Sequence, residues 1–151
     1  MTWTFDICLK NRKILEGFLN QFTLKELNKV PEGFNNNIIW NIAHVIVTQQ
    51  LLVYSNSQLP MIVSDEMVAK YRKGTKAEDD VTQTEVDKIK SQLFSTLEKT
   101  KEDYSNGVFK NYTEYTVSTK STLTNAKEAL EFNNFHEGIH LGYILALKKS
   151  L

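Results

Sequence analysis

Cysteine, proline and glycine are all scarce in this sequence, which holds one cysteine, two prolines and six glycines among 151 residues. A single cysteine cannot form a disulfide within the chain, so no feature of the sequence calls for an oxidising compartment. The spacing of Cys8 favours a buried position on a first helix rather than a reactive thiol. Because proline and glycine interrupt helices, their scarcity also permits long ones.

An excess of charge of one sign is lacking as well. Lysine and arginine total 18, and aspartate and glutamate also total 18. Without net positive charge, nothing steers the protein towards nucleic acid or an anionic membrane, so neither is expected as a partner. The N-terminal residues lack the basic start of a signal peptide, and no segment approaches the roughly 20 apolar residues of a membrane-spanning helix. We therefore expect a soluble, cytoplasmic protein.

Helical periodicity dominates what is present. The length suits a single domain over residues 1–151. Apolar residues at steps of three and four predict a first helix from Phe5 to Phe22, and the proline and glycine within 28–33 interrupt the pattern. Further helices are predicted at about 37–54, 64–73, 82–105 and 125–149. The helix at about 37–54 is apolar almost all round, so it is expected to lie centrally.

The starts of the last two helices carry a recognisable pattern. Thr82 with Glu85, and Asn125 with Glu128, have the form of capping boxes. The segment 108–124 between these helices has no helical period. Part of it, 112–117, is compatible with an extended chain, but no partner strand is visible, so an irregular crossover is predicted. Four long helices with two long crossovers predict an all-α, four-helix bundle.

Histidine is rare too, with three in the chain, yet two of them stand four residues apart. His136 and His140 lie in the stretch FHEGIHLGY, which places them one turn apart on one face of the last helix. His44 follows Trp40 by one turn on the apolar helix, where Trp, Val and Leu share a face that must point inward. Two helices therefore direct three imidazoles to the interior.

Three neutral imidazoles in a bundle core suit a borderline divalent ion such as Zn²⁺ or Ni²⁺, and they leave coordination positions open. A second interpretation is that the histidines are ordinary core residues bonded to the backbone. An i,i+4 pair such as His136 and His140 is also common on solvated helix faces. The residues alone leave these interpretations open.

Two short motifs, one on each histidine-bearing helix, occur in the order seen in a known family. They are Asn36-x3-Trp40-x3-His44 and His136-x3-His140-x-Gly142. Together they resemble the DinB-like (YfiT-like) superfamily of metal-dependent enzymes, which is not to be confused with the DNA polymerase of similar name. The resemblance covers nearly the whole chain in the order of elements and in loop lengths.

This resemblance implies a four-helix bundle in up-down-down-up order, a site in which His44, His136 and His140 hold Zn or Ni, and a homodimer. Family members often carry Gln at the position of Tyr143, so the sequence departs from the pattern there. Members with assigned activities include thiol transferases and a thiol-dependent isomerase. The resemblance therefore implies a thiol S-transferase that joins a low-molecular-weight thiol to small electrophiles. A metal-dependent hydrolase, or a non-catalytic metal-binding or stress-related bundle, are the alternatives.

Five residues are candidates for supporting the ligands or lining a pocket: Trp40, Asn133, Tyr143, Tyr112 and Tyr115. Glu137 is adjacent to His136 but about 100° off its face, so a solvated charge is expected there and no catalytic base is assigned. Because imidazole ligands are neutral, the charge of the ion is retained and an anionic substrate is expected.

Overall fold

The computed structural model describes residues 1–151 and is predominantly helical. The four long helices are α1 (Thr2–Gln21), α3 (Ile38–Gln50), α5 (Gln83–Ser105) and α6 (Ala126–Leu147). The short helices are α2 (Leu24–Asn28) and α4 (Asp65–Tyr71). A π-helical turn (Leu51–Ser55) extends α3, and a 3₁₀ turn (Lys148–Ser150) follows α6. The all-α prediction is confirmed; the helix ends differ slightly, and α2 is a short helix that the sequence analysis did not predict.

Each long helix packs against two others. α1 contacts α5 and α6, and α3 contacts the same two helices. The larger core cluster between them includes the fully buried side chains of Leu15, Ile42, Ile46, Leu93 and Ile144. Burying one such side chain contributes roughly 1.5–3 kcal/mol. This shared core therefore holds α3 against α6, and these are the two helices that carry the histidines.

α3 is the central helix, as its lack of a polar face predicts. Every residue of α3 except Thr48 is buried. The segment Ile38–Ser55 is also long and apolar enough to cross a membrane by composition, but 83% of it is buried inside the protein. The expectation that no segment has the length and apolar composition of a membrane span therefore needs a correction. This segment has both, and it lies in the core of the protein.

The crossover between α5 and α6 contains a short hairpin that the sequence analysis did not predict. β1 (Tyr115–Thr116) pairs antiparallel with β2 (Thr122–Leu123), with Tyr115 opposite Leu123. Lys120 turns the chain with a φ of 69°. The prediction of an irregular crossover without a partner strand was wrong here, because strands of two residues are too short to show the alternation by which strands are recognised.

Both predicted helix caps form, but neither capping box closes. Thr82 Oγ1 accepts a hydrogen bond from Glu85 N at 3.3 Å, and Asn125 Oδ1 accepts one from Glu128 N at 3.0 Å. The Glu85 carboxylate instead binds side chains of α4. The Glu128 carboxylate accepts from Thr124 N, one residue before the cap. The prediction of both caps is confirmed. The second hydrogen bond of each capping box, from the backbone N–H of the cap residue to the glutamate side chain, was predicted wrongly.

Candidate metal centre

Three histidines from two helices meet where α3 packs against α6. His136 and His140 lie one turn apart on α6, and His44 faces them from α3. One ring nitrogen from each histidine lies within 4.8 Å of the other two. The ring centroids are 4.5–5.2 Å apart. The predicted convergence of the three imidazoles is confirmed.

The orientation of His44 is set by the backbone of α4. Its Nδ1 lies 2.6 Å from the carbonyl oxygen of Tyr71. Because that carbonyl can only accept, Nδ1 carries the proton and Nε2 carries a lone pair. Thr48 Oγ1, 3.2 Å from Nε2, donates to this lone pair. The Trp40 ring stacks on the imidazole, with centroids 4.6 Å apart and an interplanar angle of 12°.

His140 is held in the same tautomer by a side chain of α3. Its Nδ1 lies 2.8 Å from Asn41 Oδ1. The amide orientation of Asn41 is determined independently, since its Nδ2 donates to the Asn37 carbonyl oxygen at 2.8 Å. His140 Nδ1–H therefore donates to Asn41, and His140 Nε2, like His44 Nε2, carries a lone pair. Metal-binding histidines are typically held by such a hydrogen bond from the other ring nitrogen.

Asn41 is the supporting residue that the sequence analysis missed. It is buried with 1% of its surface exposed, on a helix otherwise rich in Ile and Val. A buried polar group is costly unless it is hydrogen-bonded, so an asparagine three residues before His44 on an apolar helix was the available signal. Asn41 is supported in turn by Asn37, which caps α3 by accepting from Trp40 N at 2.8 Å.

The spacing of the facing nitrogens fits a shared divalent ion. His140 Nε2 and His136 Nε2 are 3.2 Å apart. Two nitrogens bound at about 2.0–2.1 Å to one tetrahedral Zn²⁺ are separated by about 3.3 Å. His136 Nδ1 is buried and has no hydrogen-bond partner, so no protein group fixes the tautomer of that ring through Nδ1. The donor set of three neutral imidazoles therefore fits a metal ion held through Nε2 atoms.

Burial keeps these imidazoles uncharged at neutral pH. Desolvation, with repulsion from the neighbouring histidines, lowers the pKa of His136 to about 3 and that of His140 to about 4. Desolvation also lowers the pKa of His44, although the hydrogen bond that His44 donates to the Tyr71 carbonyl oxygen acts to raise it. Metal ions bind the neutral form of imidazole, so the lone pairs are available without competition from protons at pH 7.

A cavity of about 270 Å³ opens beside His44 and His136. Apolar side chains from the end of α3, the hairpin and α6 form much of its wall; they include Leu51, Leu52, Val117, Phe132, Phe135 and Ile139. Lys73 is the only charged lining residue, and no aspartate or glutamate lines the cavity. A larger depression of about 1010 Å³ contains none of the histidines. The smaller cavity is therefore the one that belongs to the histidine group.

Comparison with protein families agrees with this geometry. Residues 9–144 match the family model described as the DinB superfamily. The chain belongs to the DinB superfamily. The matched range contains all three histidines, so the resemblance drawn from the two short motifs is confirmed. No curated protein matches the chain. Membership and the three-histidine group together indicate a divalent metal site in this DinB-superfamily protein.

The predicted pocket residues of this DinB-superfamily protein divide into two groups. Tyr115 lines the cavity, and Trp40 packs on the ring of His44. Tyr112 lies behind the wall, where its hydroxyl donates to the Leu52 carbonyl oxygen at 2.9 Å. Tyr115 is thus placed to contact a ligand directly, whereas Tyr112 positions the π-helical turn that forms part of the wall.

The other two candidates lie away from the cavity. Tyr143 is 38% exposed and packs edge-on against Phe34, with ring centroids 5.5 Å apart. Asn133 is buried on the side of α6 that faces α1, where its Nδ2 donates to Glu137 Oε1 at 3.0 Å. The hydrogen bond of Asn133 and the ring contact of Tyr143 involve no histidine. These two side chains therefore contribute to the site only by helping to position α6.

The expectation that Glu137 is a solvated charge was wrong. Its side chain is fully buried, and Oε1 accepts from Arg12 Nε of α1 at 2.8 Å. Arg12 also donates to the Leu93 carbonyl oxygen of α5 at 3.1 Å. Cys8 Sγ lies 3.5 Å from the same carboxylate, and burial raises the pKa of this thiol. The ion pair joins α1, α5 and α6, and it lies where α6 packs against α1.

Proposed function

We propose that His44, His136 and His140 bind one zinc or nickel ion, and that the protein is an S-transferase that joins a small thiol to a small electrophile. The observation that carries this proposal is the convergence of three neutral imidazoles beside a mainly apolar cavity. A divalent cation with an open coordination position lowers the pKa of a thiol or water that binds it.

The residues around the histidine group have different roles in this proposal. The Tyr71 carbonyl and Asn41 hold His44 and His140 with their Nε2 lone pairs directed at the common point. The apolar part of the wall displaces water from the parts of a bound substrate that it contacts, and electrostatic interactions there become stronger. Thr48, whose hydroxyl donates to His44 Nε2 in this structure, supplies a hydrogen-bond donor at the end of the cavity.

The composition of the cavity favours thiol chemistry over hydrolysis. Hydrolysis normally requires a base that accepts a proton from water, and a carboxylate is a common choice. No carboxylate lines the cavity, and Glu137 is committed to Arg12 on another face of α6. In thiol transfer, the thiol proton passes to solvent, the sulfur forms a bond to the electrophilic carbon, and the leaving group departs with its bonding electrons.

The connection order proposed for the bundle is up-down-down-up. On α3 and α6 the contacts run in opposite order, because Asn41 meets His140 whereas His44 also meets His136. Contacts in matching order support parallel directions for α3 with α5: Gln49 with Thr100, then Tyr54 with Asp103. Contacts in matching order also support parallel directions for α1 with α6: Thr4 with Asn134, then Arg12 with Glu137.

A cytoplasmic homodimer is the proposed form of the protein. The exposed side chains of Phe135, Ile139 and Tyr143 recur every four residues along α6 and give it an uncharged outer stripe. Such a stripe favours contact with a second copy. A molar mass of one chain from light scattering during size-exclusion chromatography would contradict this part of the proposal.

The metal is tested first, on protein purified without a polyhistidine tag or added metal. Inductively coupled plasma mass spectrometry should find about one zinc or nickel per chain in the wild type, a 1:1 stoichiometry for a three-histidine site. His140→Ala should lose it, while Glu131→Ala, an exposed change on the same helix and outside the cavity, should keep it. Absence of metal from the wild type even after reconstitution would indicate a non-catalytic bundle.

The reaction is tested next, with a panel of low-molecular-weight thiols and aryl halide electrophiles. We expect loss of the free thiol and release of halide that require both the metal and His140. Hydrolysis of esters or amides by the same loaded protein, with no thiol consumed, would replace the transferase proposal by the hydrolase one.

A further inference from the structure

The cavity beside the histidines has a single fixed charge, and it is positive. Lys73 lines the cavity together with His44 and His136. It belongs to none of the protein's ion pairs. By contrast, Lys70 on the preceding helix is paired with Glu85 at 2.7 Å. The charge of Lys73 is therefore available to a ligand.

The position of Lys73 is tied to the histidine group through the backbone. It follows Tyr71, whose carbonyl oxygen binds His44 Nδ1, by two residues. Gly74 comes directly after it, with a φ of +90° that favours glycine. The chain thus turns immediately beyond the end of α4, and this turn places Lys73 at the cavity, at the start of the segment that connects α4 to α5.

The other residues that line the cavity indicate what the uncharged part of a ligand would be. Phe132 and Phe135 form an aromatic wall with ring centroids 5.7 Å apart. Neutral polar groups, among them Asn56 and Ser118, complete the lining without adding any negative charge. A cavity with apolar walls and one unpaired cation suits a molecule that has an apolar body and one negative group.

We propose that this cavity binds small carboxylates with an aromatic or aliphatic body, and that Lys73 pairs with the carboxylate. The proposal deepens the proposed function and rests on it for one point, namely that this cavity is the substrate site. It identifies the electrophile as a molecule that carries a carboxylate. Specificity would then come from a lysine outside the histidine group.

The test compares two probes of the same size, 4-phenylbutyrate and its neutral amide, 4-phenylbutanamide. Binding is measured by isothermal titration calorimetry on the full chain, both as purified and after removal of metal with a chelator. The metal-free measurement excludes direct binding of the carboxylate to an ion. Lys73→Gln removes the charge, Lys73→Arg keeps it, and Lys76→Gln is the matched control, because Lys76 does not line this cavity.

We expect wild type and Lys76→Gln to bind the carboxylate more tightly than the amide, and this preference to weaken with added salt. Lys73→Gln should lose roughly two- to fivefold in carboxylate affinity, the range for one partly exposed charge pair. Its amide affinity should be unchanged, and Lys73→Arg should retain the preference. Phe135→Ala should weaken the binding of both probes together.

Equal binding of the two probes by the wild type, no binding of either, or an unchanged preference in Lys73→Gln would each overturn the proposal. These results are distinguishable from failure of the proposed function. A protein without metal can still show the Lys73-dependent preference, and a protein with one metal per chain can lack it.

Discussion

The buried pair between Arg12 and Glu137 offers the sharpest test of how the histidine-bearing helix is held. Both side chains are fully buried, and the Nε–Oε1 distance is 2.8 Å. In Glu137→Leu the guanidinium keeps its charge but loses its carboxylate partner. Removing one member of a buried pair costs about 3–5 kcal/mol, because the remaining charge is left without compensation.

The expected change is large enough for a thermal assay. At roughly 2–4 °C per kcal/mol for a domain of this size, Glu137→Leu should lower the melting temperature by about 6–20 °C. Replacing both charges in Arg12→Met with Glu137→Leu should recover much of this loss, since no unpaired charge remains. Urea unfolding followed by circular dichroism, on metal-free protein, gives the free energies for the double-mutant cycle.

Glu131→Leu is the matched control on the same helix. Glu131 is 52% exposed and lies 3.9 Å from Lys127, so its replacement should change the free energy of unfolding by less than about 0.5 kcal/mol. The reasoning is refuted if Glu137→Leu costs less than about 1 kcal/mol, or if the losses of the two single variants simply add in the double variant.

Three further predictions follow from the contacts of the site and its surroundings. Asn41→Leu removes the hydrogen bond to His140 Nδ1 and should weaken zinc binding by roughly 10- to 100-fold in a competition titration with a chromophoric chelator. Because the pKa values of His136 and His140 are about 3 and about 4 in the fold and about 6.5 when unfolded, the unfolded state binds more protons between these values. Metal-free protein should therefore lose stability as the pH falls from about 6.5 to about 3, and these groups should contribute no further change above that window. Gly74→Ala should destabilise the protein by about 1 kcal/mol, because φ is +90° at this residue. Gly142→Ala should instead stabilise it by about 0.5–1 kcal/mol, because Gly142 lies in a helix and has open space around it.

Each of these predictions has its own contradicting result. Asn41→Asp keeps an acceptor for His140 and should retain zinc, so equal loss in both variants would argue against orientation by this hydrogen bond. A urea midpoint that stays constant between pH 6.5 and 4 would show that the histidines are not held neutral by burial. Similar melting temperatures for Gly74→Ala and Gly142→Ala would show that the backbone at residue 74 relaxes without strain.

The histidine group was largely predictable because its signals are local. The spacing of His136 and His140 places them on one face of any α-helix. His44 shares a face with Trp40 on a helix that is apolar almost all round, and this face had to point inward. The ordered motifs added the family, which the match over residues 9–144 confirms.

The supporting contacts were harder to predict because they join distant parts of the chain. Arg12 and Glu137 are 125 residues apart in sequence, and a charge next to a ligand is ordinarily solvated. Asn41 was overlooked among apolar neighbours, although its partner His140 was already a candidate. The hairpin was missed because its strands have two residues each.

By itself, the sequence determined the helices, the central place of α3 and the three inward imidazoles, because helical periodicity and apolar patterning act over a few neighbouring residues. Tertiary structure alone decided which helix faces meet. It buried Glu137 against Arg12, placed Tyr143 outside the cavity and brought Lys73 to its lining. These outcomes depend on the packing of whole helices, where the burial of one shared core outweighs the preference of a single side chain.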